Sequence, residues 1–589
     1  MMMEVQEDLK RKLRKRFEYI WEGTDKQGTA IELNSIYTEL HITDRGEDVV
    51  SHEHDMWKIS SIWRTQNSFE VAIHINDIFK PSLNEEKQTR TVLMKGIAGT
   101  GKSTAVQKFI LDWADGKANQ DIDFIFVFPF NEINVIQHKQ LSLIGLLHHF
   151  YPELNQCEAL TLTGSKILII FDGLDAGCIP LNFLHYHTVT EVTRTSSVDV
   201  LLTNLISGKL LNSALLWITS RPVAANQIPP ECVNRVVDVH GFKHSQREEY
   251  FQKKFNDQNL ARKIITHIES SKSLRTMCHI PLFCWISAFV LERTLRSSHE
   301  HVHNVAQMYT HFVLLQTCAQ KQANGAAGLQ KLTSFFIKIG QLAYRRLEDS
   351  SSLLYDKDLR KYGINIAEFS AQSWLCMKIF SEDSQICSVY RLTLPGIKEY
   401  LAAFYVLLMF QNQNINLLKK PRVHSSLFSQ LFKRSRLSDL LKSGMERALE
   451  NKNGKLDLFL CFLLGISLNT SQILLQDLIT FSGITSEHVS ETVKYIKSKI
   501  VKTHCPEQCI NLFHCLMELN DSSLTKEMEA HVEAGLPEKN LSPIQCSALA
   551  YILLMSWDSL DVLDLKRNYL SDVGLLRLLP VVRLCKEAL

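Results

Sequence analysis

The segment Gly96-Ile97-Ala98-Gly99-Thr100-Gly101-Lys102-Ser103 constrains this chain more than any other. It fits the pattern G-x-x-x-x-G-K-[ST] at every position. An apolar stretch, Thr91–Met94, precedes it and reads as a short strand. An amphipathic stretch follows, with Val106, Phe109, Ile110 and Trp113 at helical spacing and Gly116 as a stop. A strand that turns through glycines into a helix is the setting in which such a loop cradles phosphate. Gly96, Gly99 and Gly101 let the main chain turn tightly and aim its N–H groups inward. The helix starting near Lys102 offers its positive dipole end. The Lys102 ammonium is a cation for the β- and γ-phosphates, and the Ser103 hydroxyl, followed by Thr104, is a ligand for Mg²⁺. The expected cofactors are ATP or ADP with Mg²⁺. A chance glycine-rich turn is disfavoured because strand, helix and full motif occur together.

A second signal is Ile167-Leu-Ile-Ile-Phe-Asp172-Gly-Leu-Asp175. An apolar strand ending in Asp is the Walker B pattern, and Asp172 is placed to hold the hydration shell of Mg²⁺. Asp175, one short turn later, is a second carboxylate for the same centre. Asp-Gly is also plain turn chemistry, but its place downstream of a full P-loop favours the metal reading. The third signal is Leu215-Leu-Trp-Ile-Thr-Ser-Arg221-Pro. Here Arg221 follows a buried strand at the edge where open α/β sheets bind ligands. It is either a γ-phosphate sensor or a surface Arg fixed by Pro222. His504, Cys505, Cys509, His514 and Cys515 have zinc-type chemistry. They lack a paired C-x-x-C spacing and read as an apolar helix face, so core packing is the expectation.

The length of 589 residues implies about three to five domains. Around the P-loop, strands at Phe124–Phe128, Ile167–Phe171, Leu215–Thr219 and Val236–Val239 alternate with helices, one of them Val198–Ser207 capped by Ser197. Continuous apolar strands fit a parallel sheet covered on both faces. The polar, breaker-rich run from Pro81 to Arg90 reads as a linker. Residues 5–75 read as mixed and mainly helical. Within them Leu9–Phe17 alternates basic and apolar residues and is expected to be a solvated helix face, or else a basic surface for a partner or a membrane. Beyond about Ser245 the pattern is helical almost to the end. The apolar runs Tyr400–Phe410 and Leu458–Leu464 are too short for a transmembrane span and are expected to be buried helices. Net charge is +2, which gives no reason to expect nucleic acid as a partner. The 14 cysteines are scattered, mostly in apolar runs, and no secretory signal precedes them, so reduced thiols in a cytoplasmic protein are expected. Near the end, Leu560, Leu563, Leu565, Asn568 and Leu570 fit the leucine-rich-repeat spacing, and Leu575–Leu584 fits the helix of that repeat. One repeat cannot bury its own apolar face, so the chain is expected to be a fragment or a product that stops before its solenoid.

The runs FIFVFPFNEIN, ILIIFDGLDAG, SALLWITSRPVAA, CHIPLFCWI and IKEYLAAFY, in this order, resemble the NACHT module of NLR (NACHT and leucine-rich-repeat) innate immune receptors. The start, FEYIWEGTDKQGTAIELNSIYTELHIT, resembles the FISNA segment that precedes NACHT in the fish-type receptors, and DSLDVLDLKRNYLSDVGLLRLLPVV resembles their first leucine-rich repeat. The resemblance implies an α/β P-loop NTPase of the STAND/NACHT kind with a parallel sheet, then helical and winged-helix domains and the start of a leucine-rich-repeat solenoid. It implies a FISNA-like segment over 1–80, a NACHT domain over 81–244, a first helical domain over 245–299, a winged-helix domain over 300–410, a second helical domain over 411–541 and truncated repeats over 542–589. Nucleotide contacts would be Gly96 to Thr104, Asp172, Asp175 and Arg221, with Pro281 packing near the nucleotide. Two positions depart from the family's pattern. Ala176 stands where an acidic residue usually follows the second aspartate, and Leu394 falls where a winged-helix His usually touches the β-phosphate.

The resemblance implies a cytosolic switch, held with ADP and opened by ATP, that self-oligomerises through the NACHT domain. Its ligand would be read by repeats mostly absent here, and its signalling partners are unidentified. Without the carboxylate at 176, turnover is expected to be slow or absent, so the chain is at most a slow ATPase. The alternatives are an ATPase with real hydrolytic turnover and a regulatory or decoy receptor without its own effector. No recognisable death-fold domain precedes the FISNA-like segment, so no adaptor is implied.

Overall fold

The computed structural model describes residues 2–21, 30–44, 72–81, 89–156, 164–177, 179–296, 302–347, 353–370, 372, 375–379, 389–392, 394, 396–419, 436–451, 454–476, 486–503, 505–533, 541–555, 562–563, 571–582 and 587–588. Its centre is a six-stranded sheet. The strands are β1 (His41–Asp44), β2 (Thr91–Lys95), β3 (Phe124–Pro129), β4 (Ile167–Asp172), β5 (Leu215–Ser220) and β6 (Arg235–Gly241). Their spatial order is β1-β6-β2-β5-β4-β3. All neighbours run parallel except β1, which lies antiparallel on the β6 edge. Strands β2, β5 and β4 read as continuous apolar runs because both faces are covered, and β4 is buried from Ile167 to Phe171, whereas β6 carries Arg235, Asp238 and His240. The parallel strands expected from sequence are all present, within two residues at each end. The edge strand β1 was not expected. Residues 5–75 contribute more strand than the helical reading allowed, since Tyr19–Trp21 also pairs with Ala30–Glu32.

The helix α1 (Met2–Phe17) bears out the expected solvated basic face in part, and adds ion pairs to it. Its apolar positions Val5, Leu9, Leu13 and Phe17 are buried, Arg11 and Lys15 are exposed, and three partly solvated basic residues reach acids of the α/β domain. Lys12 pairs with Glu153 at 2.8 Å, Arg14 with Asp115 at 2.8 Å and Arg16 with Glu132 at 2.7 Å. Helix α2 (Lys102–Ala114) follows the glycine-rich loop, and its Val106, Phe109, Ile110 and Trp113 are fully buried. Ser197 does sit at the N-cap of the helix Val198–Ile206, but its side chain makes no capping bond. It is paired instead in a short antiparallel ladder with Gln140.

After the sheet the chain is mostly helical: α3 (Lys272–Met277), α4 (Pro281–Thr294), α5 (Val305–Arg345), α6 (Ile397–Gln413), α7 (Asp457–Ile466), α8 (Pro506–Glu518), α9 (Pro543–Met555) and α10 (Asp572–Val582), with shorter helices between. A three-stranded antiparallel sheet interrupts them, β7 (Leu353–Tyr355), β8 (Cys376–Ile379) and β9 (Val389–Leu392), in the order β7-β9-β8. These strands correct the periodicity reading of an all-helical second half and supply the sheet that a winged helix requires. The runs at 400–410 and 458–464 are the buried helices α6 and α7, and no single described helix is long and apolar enough to cross a membrane. Val562–Leu563 and Glu587–Ala588 pair in parallel on either side of α10. Of the repeat positions, Leu560, Leu565, Asn568 and Leu570 lie outside the described residues, as does His504 of the Cys/His group. Cys509, His514 and Cys515 of that group are buried along α8.

Candidate nucleotide-binding site

The loop after β2 turns through Gly99 (φ +83°) and Gly101 (φ +96°), a left-handed backbone that only glycine adopts without strain. The turn is tightly enclosed. A Cβ at Gly96 would stand 2.8 Å from both Thr100 Oγ1 and the Val239 carbonyl, and one at Gly101 would stand 2.9 Å from Leu40 Cδ1. Gly101 is the N-cap of α2, so the amides of Lys102, Ser103 and Thr104 point out of the helix with no acceptor in it. That is an anion site by construction. Two side chains brace the loop. Thr100 Oγ1 donates to the Ile97 carbonyl at 3.0 Å, and Lys102 Nζ donates to the carbonyls of Gly96 at 2.7 Å and Ile97 at 2.8 Å. Ala98 lies in the turn between them. The Lys102 ammonium is thus already inside the curve of the loop.

Register sets the opposite wall. Strand β5 lies between β2 and β4, with Met94 beside Thr219 and Phe171 beside Ile218. Asp172 therefore leaves β4 next to Thr219 and across from Ser103. Its Oδ1 accepts from Thr219 Oγ1 at 2.6 Å and from Ser103 Oγ at 3.1 Å. The same Thr219 oxygen accepts from the Gly173 amide at 2.8 Å. Burial pushes the Asp172 carboxyl above the usual carboxylate range. The two hydroxyls and the Lys102 charge pull it back, and Asp175 adds to the rise. The hydroxyl and carboxylate that would share a magnesium shell are within hydrogen-bond distance, and this donor set suits a hard cation on a phosphate. Asp175 sits in the short turn Leu174–Ala176 and pairs with Arg221 Nε at 3.0 Å. Arg221 therefore reaches the site through Asp175. Pro281 opens α4, and the next amide, Leu282 N, donates to the Gly99 carbonyl at 3.3 Å. The start of α4 thus touches the loop itself.

All the sequence-selected positions from Gly96 to Thr104, with Asp172, Asp175, Arg221 and Pro281, come together at the C-terminal edge of β2, β5 and β4. Of the two departures, Ala176 is buried and its carbonyl accepts from Asn134 Nδ2 at 2.8 Å. Leu394 is buried in the helical half, just ahead of α6. Sequence reasoning missed three contributors. Thr219 was legible as a hydroxyl at the end of an apolar strand, two residues before Arg221. Leu40, packed on Gly101, left no local signal. Gly241 was equally silent. It has φ +97°, and a Cβ there would lie 2.2 Å from the His279 carbonyl and 3.2 Å from Pro281 Cδ.

Comparison with known families places four matches along the chain: the fish-specific NACHT associated domain over residues 9–80, the NACHT domain over 90–258, the NOD2 winged helix domain over 334–391 and the NLRC4 helical domain HD2 over 395–527. Among curated proteins, human NLR family CARD domain-containing protein 3 is 24% identical over 92% of this chain and 51% of its own length. The rat NACHT, LRR and PYD domains-containing protein 3 is 27% identical over 89% of this chain and 49% of its own. The zebrafish (Danio rerio) NACHT, LRR and PYD domains-containing protein 1 homolog is 25% identical over 96% of this chain and 41% of its own. The chain thus spans about half the length of the curated relatives it matches.

Proposed function

We infer that this chain, which belongs to the NLR family of NACHT proteins, is a nucleotide-operated switch in cytosolic innate immune sensing, binding ATP or ADP with Mg²⁺ and turning it over slowly or not at all. The observation that carries the reading is the meeting of loop, carboxylate and helix at one point. Ser103 and Asp172 stand together, and Leu282 N holds the loop carbonyl of Gly99 from the first turn of α4. A change in phosphate occupancy that moves Gly99 is therefore felt at once by a helix outside the sheet.

Each group has a part in this reading. The amides of Lys102 to Thr104 and the Lys102 ammonium bind and orient the phosphates. Ser103 and Asp172 hold the metal, with Thr219 fixing which Asp172 oxygen faces it. Bound Mg²⁺ would screen phosphate charge and draw electron density from the terminal phosphoryl group. Slow turnover is supported by Ala176, which offers no carboxylate to orient water, and by the engagement of Asp175 with Arg221. Self-assembly through the NACHT domain, and ligand reading by leucine-rich repeats begun at the strand–helix–strand unit around α10, complete the proposal.

Two measurements test it. Steady-state phosphate release is expected at a few turnovers per hour, and rates near the median enzyme value of about 10 per second would replace the switch with an ATPase. Size-exclusion chromatography is expected to give a larger species with ATP than with ADP. Identical elution with both nucleotides would remove assembly from the account.

A further inference from the structure

The last residue of α8, Glu518, lies far along the chain from the nucleotide loop and is 3% exposed. Its carboxyl group meets three separate segments. From α3, the Ser273 hydroxyl donates to Oε1. From the first turn of α5, the amides of Val305 and Ala306 donate to Oε1 and Oε2 at 3.2 and 3.3 Å. From α7, Gly465 comes so close that a Cβ there would stand 2.9 Å from Oε2 and 2.4 Å from Ala306 Cβ. The main-chain carbonyl of Glu518 is used as well, accepting from Asn304 Nδ2 at 2.9 Å. Asn304 is itself the N-cap of α5, with its Oδ1 accepting from Gln307 N at 2.8 Å.

These contacts assign the carboxyl the place that a capping side chain normally fills, two orphan amides at a helix start, but from a helix more than two hundred residues later in the chain. The segment before α5 is fastened to the other side too. His267 Nε2 bonds the Val302 carbonyl at 2.7 Å, and Ser271 Oγ donates to the His303 carbonyl at 2.6 Å. The seam is buried, and at Gly465 it is closely packed. If the start of α5 leaves, Glu518 loses its donors and has to be hydrated where it sits, because a buried carboxyl without partners costs several kcal/mol.

We propose that the Glu518 carboxyl group is a three-way latch that fixes α3, the start of α5 and the end of α8 as one unit, which opens as a whole when any of its ties is removed. The latch makes no use of nucleotide and stands apart from the switch reading.

Hydrogen–deuterium exchange of the full chain, read at Lys272–Met277 and at Val305–Ala306, tests it in Ser273→Ala and Glu518→Gln. A hydrogen bond to a carboxylate is worth about 1.5–3 kcal/mol. Ser273→Ala is therefore expected to speed exchange at Val305 and Ala306 at least about tenfold, although it touches neither, together with a like increase at 272–277. Exchange altered at 272–277 alone, with Val305 and Ala306 as in wild type, would overturn the latch and leave a local contact. Glu518→Gln, which keeps size but sets an NH₂ against three donors, is expected to speed both segments together, and unchanged exchange at both would also overturn it. Ser273→Ala leaves the carboxyl with its two amide donors and decides the matter by itself should Glu518→Gln fail to fold.

Discussion

Single side chains carry two predictions, one on turnover at Ala176 and one on pH at Glu518. Ala176 is buried in the turn that carries Asp175. Among the described residues, a Cβ built at Gly173 would meet only the Ala176 Cβ, at 4.0 Å. Ala176→Glu is expected to raise ATP turnover above wild type at a cost of about 1–3 kcal/mol in stability. Unchanged turnover in a folded variant would show that the missing carboxylate is not what limits the reaction. Glu518 is the clearer electrostatic case. Burial pushes its carboxyl up to about 7, against the pull of Ser273 and the amides of Ala306 and Val305. Among the described residues, no cation contributes to it. His514 on its own helix is held near 4 by burial and is neutral, the hydrogen bond with Cys515 and then burial raise the Cys461 thiol on α7, and burial raises the Tyr551 phenol on α9, keeping both uncharged. The unfolded acid loses its proton near 4.5 and the folded one near 7, so its favourable contribution is complete below 4.5 and lost as pH rises through 7. The shift corresponds to about 3 kcal/mol. Unfolding free energy measured in urea between pH 5 and 8 should therefore fall more steeply with pH in wild type than in Glu518→Gln. Parallel curves would contradict this.

Elements carry the coupling between the loop and the rest. The helix α4 meets the loop through Leu282 N, and it is held there by Gly241, whose φ of +97° brings β6 against the His279 carbonyl so that Phe242 N bonds it at 2.8 Å. Gly241→Ala would force a Cβ into that carbonyl and pull α4 from the loop. Overpacking and backbone strain together predict a loss of about 3 kcal/mol, with weaker nucleotide binding in calorimetry. Wild-type affinity and stability would show that the contact yields without consequence. For α1, Leu9 and Leu13 are fully buried, whereas the ion pairs are partly solvated. Leu13→Ala is expected to cost about 2–5 kcal/mol and Arg14→Ala less than about 1 kcal/mol. The reverse order in thermal unfolding would mean that charge, not packing, docks the helix.

The same elements show what was legible in advance. The glycine loop, the strand ending at Asp172 and the run ending at Arg221 encode their chemistry in residues next to one another, so local reading found them. The edge strand β1 owes its place to pairing with β6, almost two hundred residues on, and the basic face of α1 is matched by acids scattered from Asp115 to Glu153. Leu40, Gly241 and Glu518 are defined by what approaches them from elsewhere in the chain, and no window of sequence contains that. The short strands β7, β8 and β9 were hidden from periodicity by their length and entered only through the family resemblance.

At the scale of the whole molecule, two junctions lie in series along the chain. One is the nucleotide loop with α4. The other is the seam around Glu518, reached from α4 by way of α3 and the residues that lead into α5. The first is where a phosphate would act, and the second is where Glu518 ties the end of α8 to α3 and the start of α5. The reading of the first junction as a switch rests on the loop holding a purine nucleotide. Isothermal calorimetry of ADP with Mg²⁺, on the wild-type chain stripped of nucleotide and on Lys102→Ala, measures that directly. Saturable one-to-one binding is expected in wild type, weakened at least roughly thirtyfold in the variant by loss of about 2 kcal/mol of phosphate contact, with both proteins unfolding at similar temperatures. No heat of binding in a folded wild-type chain, or equal affinity in the two proteins, would contradict it.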